Sequence, residues 1–117
     1  MGIEVLPRLK LLARKGVRFE MSESKNRLIE FYGEECHWCV HMAPVIERLE
    51  KDEGVEVTRL EVWHDRENKR ELGQHAYEIS SACGGGIGVP AFYNEKTGEA
   101  LCGAQSYDEL KRWALAS

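Results

Sequence analysis

Residues 33–44 read GEECHWCVHMAP, two cysteines three apart with a histidine and a tryptophan between them and a second histidine two residues on. Three chemistries are open to such a stretch: a dithiol/disulfide couple, a soft metal site, or two small apolar residues at a buried helix start. A helix beginning between the cysteines gives the first of them the unpaired N–H groups and the positive end of the macrodipole, which favour a thiolate. Cys36 is therefore the candidate nucleophile, expected to titrate below the roughly 8.5 of a free thiol. Cys39, one turn on, is within reach to attack a mixed disulfide and resolve it. Cys36, His37, Cys39 and His41 also offer metal ligands, but four ligands in one turn cannot converge tetrahedrally and no second pair follows at zinc spacing. No metal and no other cofactor is expected.

Glu30 lies inside the apolar run Leu28-Ile29-Glu30-Phe31-Tyr32. A buried carboxylate is costly unless paired or protonated, so it is read as a proton relay beside Cys39, with Arg59 as a neighbour. His37 is either a solvated loop residue or a tuner whose protonated form favours the adjacent thiolate. Trp38 shields the site or presents an apolar docking face. Cys83 fits the inner stripe of a helix, so core packing is favoured over a third redox thiol, and Cys102 reads as a buried strand residue, with a regulatory role left open. Gly84-Gly85-Gly86-Ile87-Gly88 lacks the features of a phosphate loop. His64 and His75, among charged neighbours, read as surface residues.

These side chains need elements to hold them. The run 28–32 is expected as a buried strand, and Met42, Val45, Ile46 and Leu49 recur at helical spacing until Gly54. Residues 55–63 alternate as a strand does, with a phase change in the middle. Asp65 can cap a charged helix with an inner stripe of Leu72, Ala76, Ile79 and Cys83, ended by the glycines. Residues 91–93 and 99–102 flank a turn and read as an antiparallel hairpin, and Ser106 can cap a last helix carrying Tyr107, Leu110, Trp113 and Ala114. A short helix over 5–16 and a brief strand over 17–20 precede all this. The order describes an α/β sandwich with a mixed sheet.

The 117 residues suit one compact domain, 1–117, with 1–20 as an N-terminal extension or first helix. No apolar run approaches the about 18 residues of a membrane span, and the net charge of −4 lacks the basic excess of a nucleic-acid binder, so neither partner is expected. No export signal is read in the basic first residues, and Leu6 does not fit a myristoylation motif. Four cysteines in such a chain point to a reducing, cytoplasmic setting, where a close pair is catalytic or metal-binding more often than structural.

Over residues 25–116 the chain resembles the thioredoxin superfamily. Glu30, six residues before Cys36, matches the family's buried acid, and Pro44, five after Cys39, the proline of the active-site helix. Arg59 stands where thioredoxins carry a strand lysine, Val89-Pro90 resembles the cis-proline step, and Gly103 matches a glycine beside the substrate groove. The resemblance implies a three-layer sandwich, a central mixed β-sheet flanked by helices. It also implies a monomeric thiol-disulfide oxidoreductase whose Cys36, Cys39 and Glu30 do the chemistry. His37, Trp38, Val89, Pro90 and Gly103 would then contact substrate, and Arg59, Cys83 and Cys102 could modulate. Its partners would be disulfide-containing proteins or small thiols, with a reductase or glutathione as electron source. The chain departs from the pattern at Glu35, where thioredoxins carry tryptophan, at His37-Trp38 in place of Gly-Pro, and in a longer segment before Pro90. Two alternatives stand: a non-enzymatic binding module on the same fold, and a metal-binding protein using Cys36 and Cys39.

Overall fold

The computed structural model describes residues 26–117, so the helix over 5–16 and the strand over 17–20 lie outside the described residues. The elements run β1 (Leu28–Tyr32), α1 (His37–Glu53), β2 (Val57–Glu61), α2 (Arg66–Gln74), α3 (Ala76–Cys83), β3 (Ala91–Asn94), β4 (Ala100–Cys102) and α4 (Tyr107–Leu115). The four strands form one mixed sheet in the order β2-β1-β3-β4. β1 is parallel to β2 and antiparallel to β3, and β3 is antiparallel to β4.

Side-chain alternation along β1 sends its residues to two different layers. Leu28 joins Met42, Ile46, Leu49, Val57, Phe92, Leu110, Trp113 and Ala114 on the face covered by α1 and α4. Ile29 and Phe31 join Val62, Leu72, Ile79 and Ala91 on the face covered by α2 and α3. The three-layer sandwich expected from the sequence is the one observed. The phase change read in 55–63 has the same origin, since Val57 belongs to the first face and Val62 to the second.

The helix that carries the cysteines is held by its apolar stripe. Met42, Ile46 and Leu49 are buried, and each such side chain contributes about 1.5–3 kcal/mol relative to exposure. Gly54 ends α1 in the left-handed conformation, φ 68°, with its N–H donating to the Glu50 carbonyl at 2.9 Å. At the far side, Asn94 is buried in the hairpin turn. Its amide donates to the Trp113 carbonyl at 2.9 Å and its oxygen accepts from Lys96 N at 2.8 Å, which ties β3 to α4.

Several expectations need correction. The helix expected from Asp65 to the glycines is broken into α2 and α3 at His75, whose N–H turns back to the Leu72 carbonyl. His75 is half-buried rather than an exposed surface residue: its ring stacks on Tyr93 at 4.0 Å and lies 6.3 Å from Phe31, packed against the sheet at the break. Cys83 is not a free core thiol and Cys102 is not an isolated strand residue. They form a disulfide that ties the end of α3 to the edge strand β4, and both are half-buried.

Candidate functional site

Cys36 is the N-cap of α1, with extended backbone, and its sulfur accepts a hydrogen bond from the Cys39 N–H at 3.2 Å. An N-cap acceptor satisfies one of the four orphan donors of a helix start, and here the acceptor is sulfur. The turn before it is closed by the Cys36 N–H donating to the Gly33 carbonyl at 3.0 Å. Gly33 is required there, because a Cβ would meet the Trp63 ring at 2.2 Å; the indole lies flat against the backbone of the loop that leads to Cys36.

The second wall comes from the segment before β3. The Val89-Pro90 peptide bond is cis, and the Cys36 thiol lies 3.7 Å from the Val89 carbonyl, within reach to donate to it. The Pro90 carbonyl accepts from Gly103 N at 2.7 Å, with Gly103 at φ 86°, a conformation that favours glycine. Gln105 reaches from beyond β4 to the carbonyls of Cys102 and Gly103 at 3.0 and 3.2 Å. Cys36, Val89, Pro90 and Gly103 are thus brought together by the start of α1 and the hairpin.

Beneath the cysteines lies the acid. Glu30 is fully buried in β1, flanked on the sheet by Arg59 of β2 and Phe92 of β3. Arg59 Nε donates to Glu30 Oε1 at 3.1 Å, while Oε2 is buried without a hydrogen-bond partner among the described residues. Burial pushes the Glu30 carboxyl above the ordinary value of 4.5, against the pull of the Arg59 hydrogen bond and charge. The Cys39 thiol is pushed up to about 12, first by burial and then by its neighbour Cys36. A pocket of about 250 Å³ is lined by Glu30, Cys39, Arg59, Tyr32, Gly33 and Ala43 among others, so acid and thiol border one cavity.

Cys36 and Cys39 are both free thiols and both buried, 6% and 5% exposed. His37 and Trp38, by contrast, are exposed on the first turn of α1, and the Trp38 indole is 57% exposed. The Cys83–Cys102 disulfide joins the end of α3 to the edge strand β4. Cys102 pairs with Ala91 in the sheet, next to Pro90.

Three contributors to the site leave little mark in the sequence. Glu61, at the end of β2, accepts from the backbone N–H groups of Glu34, Trp63, His64 and Asp65, so one carboxylate pins both loops beside Cys36. These bonds hold the Glu61 carboxyl below its ordinary value, against desolvation. Trp63 on Gly33 is the second, and Gln105 the third. A carboxylate on the last residue of a strand, followed by V-W-H-D, is the only signal the sequence carries for the first.

No protein-family model matches this chain, and no curated protein sequence does. Among solved structures it is similar to the crystal structure of the glutaredoxin from Methanosarcina mazei Go1, with 17% identity and a TM-score of 0.52, over 80% of this chain and 81% of that one. The likeness shows the fold: the chain has a thioredoxin-like architecture.

Proposed function

We propose that the protein is a thiol-disulfide oxidoreductase working through Cys36 and Cys39. The observation that carries the reading is the N-cap sulfur: the Cys39 N–H points at Cys36 Sγ, a contact that favours negative charge there.

The Cys36 thiolate attacks one sulfur of a partner disulfide. That S–S bond breaks, a Cys36–partner disulfide forms, and the first partner sulfur leaves as a thiolate that takes a proton from water. Cys39, whose thiol is held protonated by burial, gives its proton to the Glu30 carboxylate across the shared cavity. Its thiolate then attacks Cys36 Sγ and releases the second partner sulfur. The partner gains two electrons, and Cys36 and Cys39 become a disulfide, which a thiol donor such as glutathione or a reductase returns to the dithiol. Arg59 holds Glu30 in place, and Trp38, Val89, Pro90 and Gly103 form the rim against which an extended peptide or small thiol would lie.

The test is trapping. With Cys39→Ser, the mixed disulfide has no internal thiol to release it, so partners accumulate as covalent adducts that reductant dissolves; Cys36→Ser forms none. If Cys39→Ser forms no adduct with a model disulfide and turns it over at the parental rate, the reading fails and a binding role on this fold takes its place.

A further inference from the structure

His37 and His41 stand one turn apart on the exposed face of α1, and their Nε2 atoms are 3.2 Å from each other. Two imidazole nitrogens at that distance cannot both present lone pairs to nothing. Either one carries a proton and donates it to the other, or a cation lies between them. Metal–imidazole bonds of about 2.0–2.1 Å meeting at roughly 90–110° place two ligand nitrogens about 2.8–3.4 Å apart, so the pair already has the spacing of one edge of a coordination shell. Histidines at i and i+4 on one helix face are the spacing by which helices hold zinc.

Other clusters in the described residues are already satisfied from within. Glu71, His75 and Glu95 lie close enough to share an ion, but the Arg27 guanidinium is bound between the two carboxylates and His75 is stacked on Tyr93. Glu34, Glu61 and His64 are also close, but Glu61 is taken by four backbone N–H groups and His64 Nε2 by Glu35 at 2.8 Å. Among the described residues, the His37 and His41 Nε2 atoms have only each other. Trp38 packs against both rings, 5.4 Å from His37 and 5.5 Å from His41, and limits their rotation. Four ligands in this turn cannot converge on one ion, but two can.

We propose that His37 and His41 form a bidentate site for a first-row divalent transition-metal ion, Cu²⁺, Ni²⁺ or Zn²⁺, with water in the remaining positions. Imidazole suits these ions, and the order of affinity expected is Cu²⁺ above Ni²⁺ and Zn²⁺. The site is separate from the thiols and does not rest on the exchange reaction. His37 directly follows Cys36, so an ion there sits on the same first turn of α1.

The experiment uses the full, tag-free chain with Cys36 and Cys39 oxidised to their disulfide, which removes the thiolates as ligands. Calorimetric titration with Ni²⁺ and Zn²⁺ should give one ion per chain, and Cu²⁺ should show two equatorial nitrogens by electron paramagnetic resonance. Either His37→Gln or His41→Gln should weaken binding at least about tenfold, as losing even an outer-shell partner does, while His64→Gln should leave it as in the parent. Both variant positions are exposed, and circular dichroism checks that each folds. Failure of the oxidised parent to bind any of the three ions at about 1 mM, or binding in His37→Gln and His41→Gln within tenfold of the parent, would show that the pair is a hydrogen bond only.

Discussion

The molecule holds its four cysteines as two pairs of opposite character. Cys36 and Cys39 are three residues apart on one helix start, both thiols free, one of them receiving a backbone N–H. Cys83 and Cys102 are 19 residues apart, brought together only when α3 and the hairpin pack, and are joined covalently. In the first pair local backbone supplies a reason for reactivity. In the second the fold supplies proximity and the bond supplies constraint. Cysteine spacing thus separates a candidate redox pair from a structural one only when the tertiary partner of each is known.

The largest effect that could break this contrast is on exchange. Cys36→Ser should lower turnover of a model disulfide by at least about 10³-fold, as removal of a nucleophile does when the remaining thiol is buried and poorly ionised. The double variant Cys83→Ser/Cys102→Ser should keep turnover of the parental order. A deep loss in the double variant, measured where it is still folded, would move the chemistry to the far pair.

The far pair should instead show in stability. In the loop-entropy account, closing a 19-residue separation stabilises by about 3 kcal/mol, so the double variant should lose roughly that in urea unfolding of the protein with the Cys83–Cys102 bond intact as reference. A loss below about 1 kcal/mol would mean that the bond constrains little the packing does not already constrain.

Glu30 joins the near pair to the core, and its raised carboxyl pKa sets a sign. The folded state binds this proton more tightly than the unfolded chain, so ionisation costs the fold as pH rises from the ordinary 4.5 through the raised value, and the cost stays constant above it. Glu30→Gln should therefore match the parent at low pH and become more stable above it, by on the order of 1 kcal/mol, because Arg59, 35% exposed, can turn its charge to water. If Glu30 accepts the Cys39 proton as proposed, the same variant should exchange more slowly at neutral pH. A stability difference that does not change between pH 4 and pH 8 would count against a desolvated carboxylate.

What the sequence made legible follows the range of the interactions. Helix α1, its N-cap cysteine and its stop at Gly54 come from patterns within one turn or one stripe, and so do Asp65 and Ser106, whose side chains accept from Asn68 N and Glu109 N as N-caps do. Glu30 was legible because a charge in an apolar strand is expensive wherever the strand goes. The disulfide was not, because Cys83 fits a helical stripe equally well as a packing residue and its partner is set by sheet register. The break at His75 was not, because Gly73 alone is a weak stop and the stacking on Tyr93 comes from β3. Glu61 was missed for a third reason: its role is to accept from backbone, and backbone donors leave no mark in side-chain types.

The smallest expected effect sharpens the contrast at the rim of the near pair. Glu35, directly before Cys36, is 2.8 Å from His64 Nε2, and this contact raises the His64 pKa above its ordinary 6.5. The pair's attraction is present below that ordinary value and fades as pH rises through the raised one, leaving the Glu35 charge uncompensated beside Cys36. Both side chains are more than half exposed, 57% and 62%, so the effect on Cys36 is screened. Glu35→Gln should lower the His64 pKa seen by nuclear magnetic resonance and raise the alkylation rate of Cys36 by about twofold above that transition, a difference that fades near 1 M salt, where the Debye length is about 3 Å. The far pair has no such dependence, since disulfide sulfur does not titrate. A His64 titration identical in parent and Glu35→Gln would mean that the contact does not hold in solution, and the near pair would then owe its reactivity to the helix start alone.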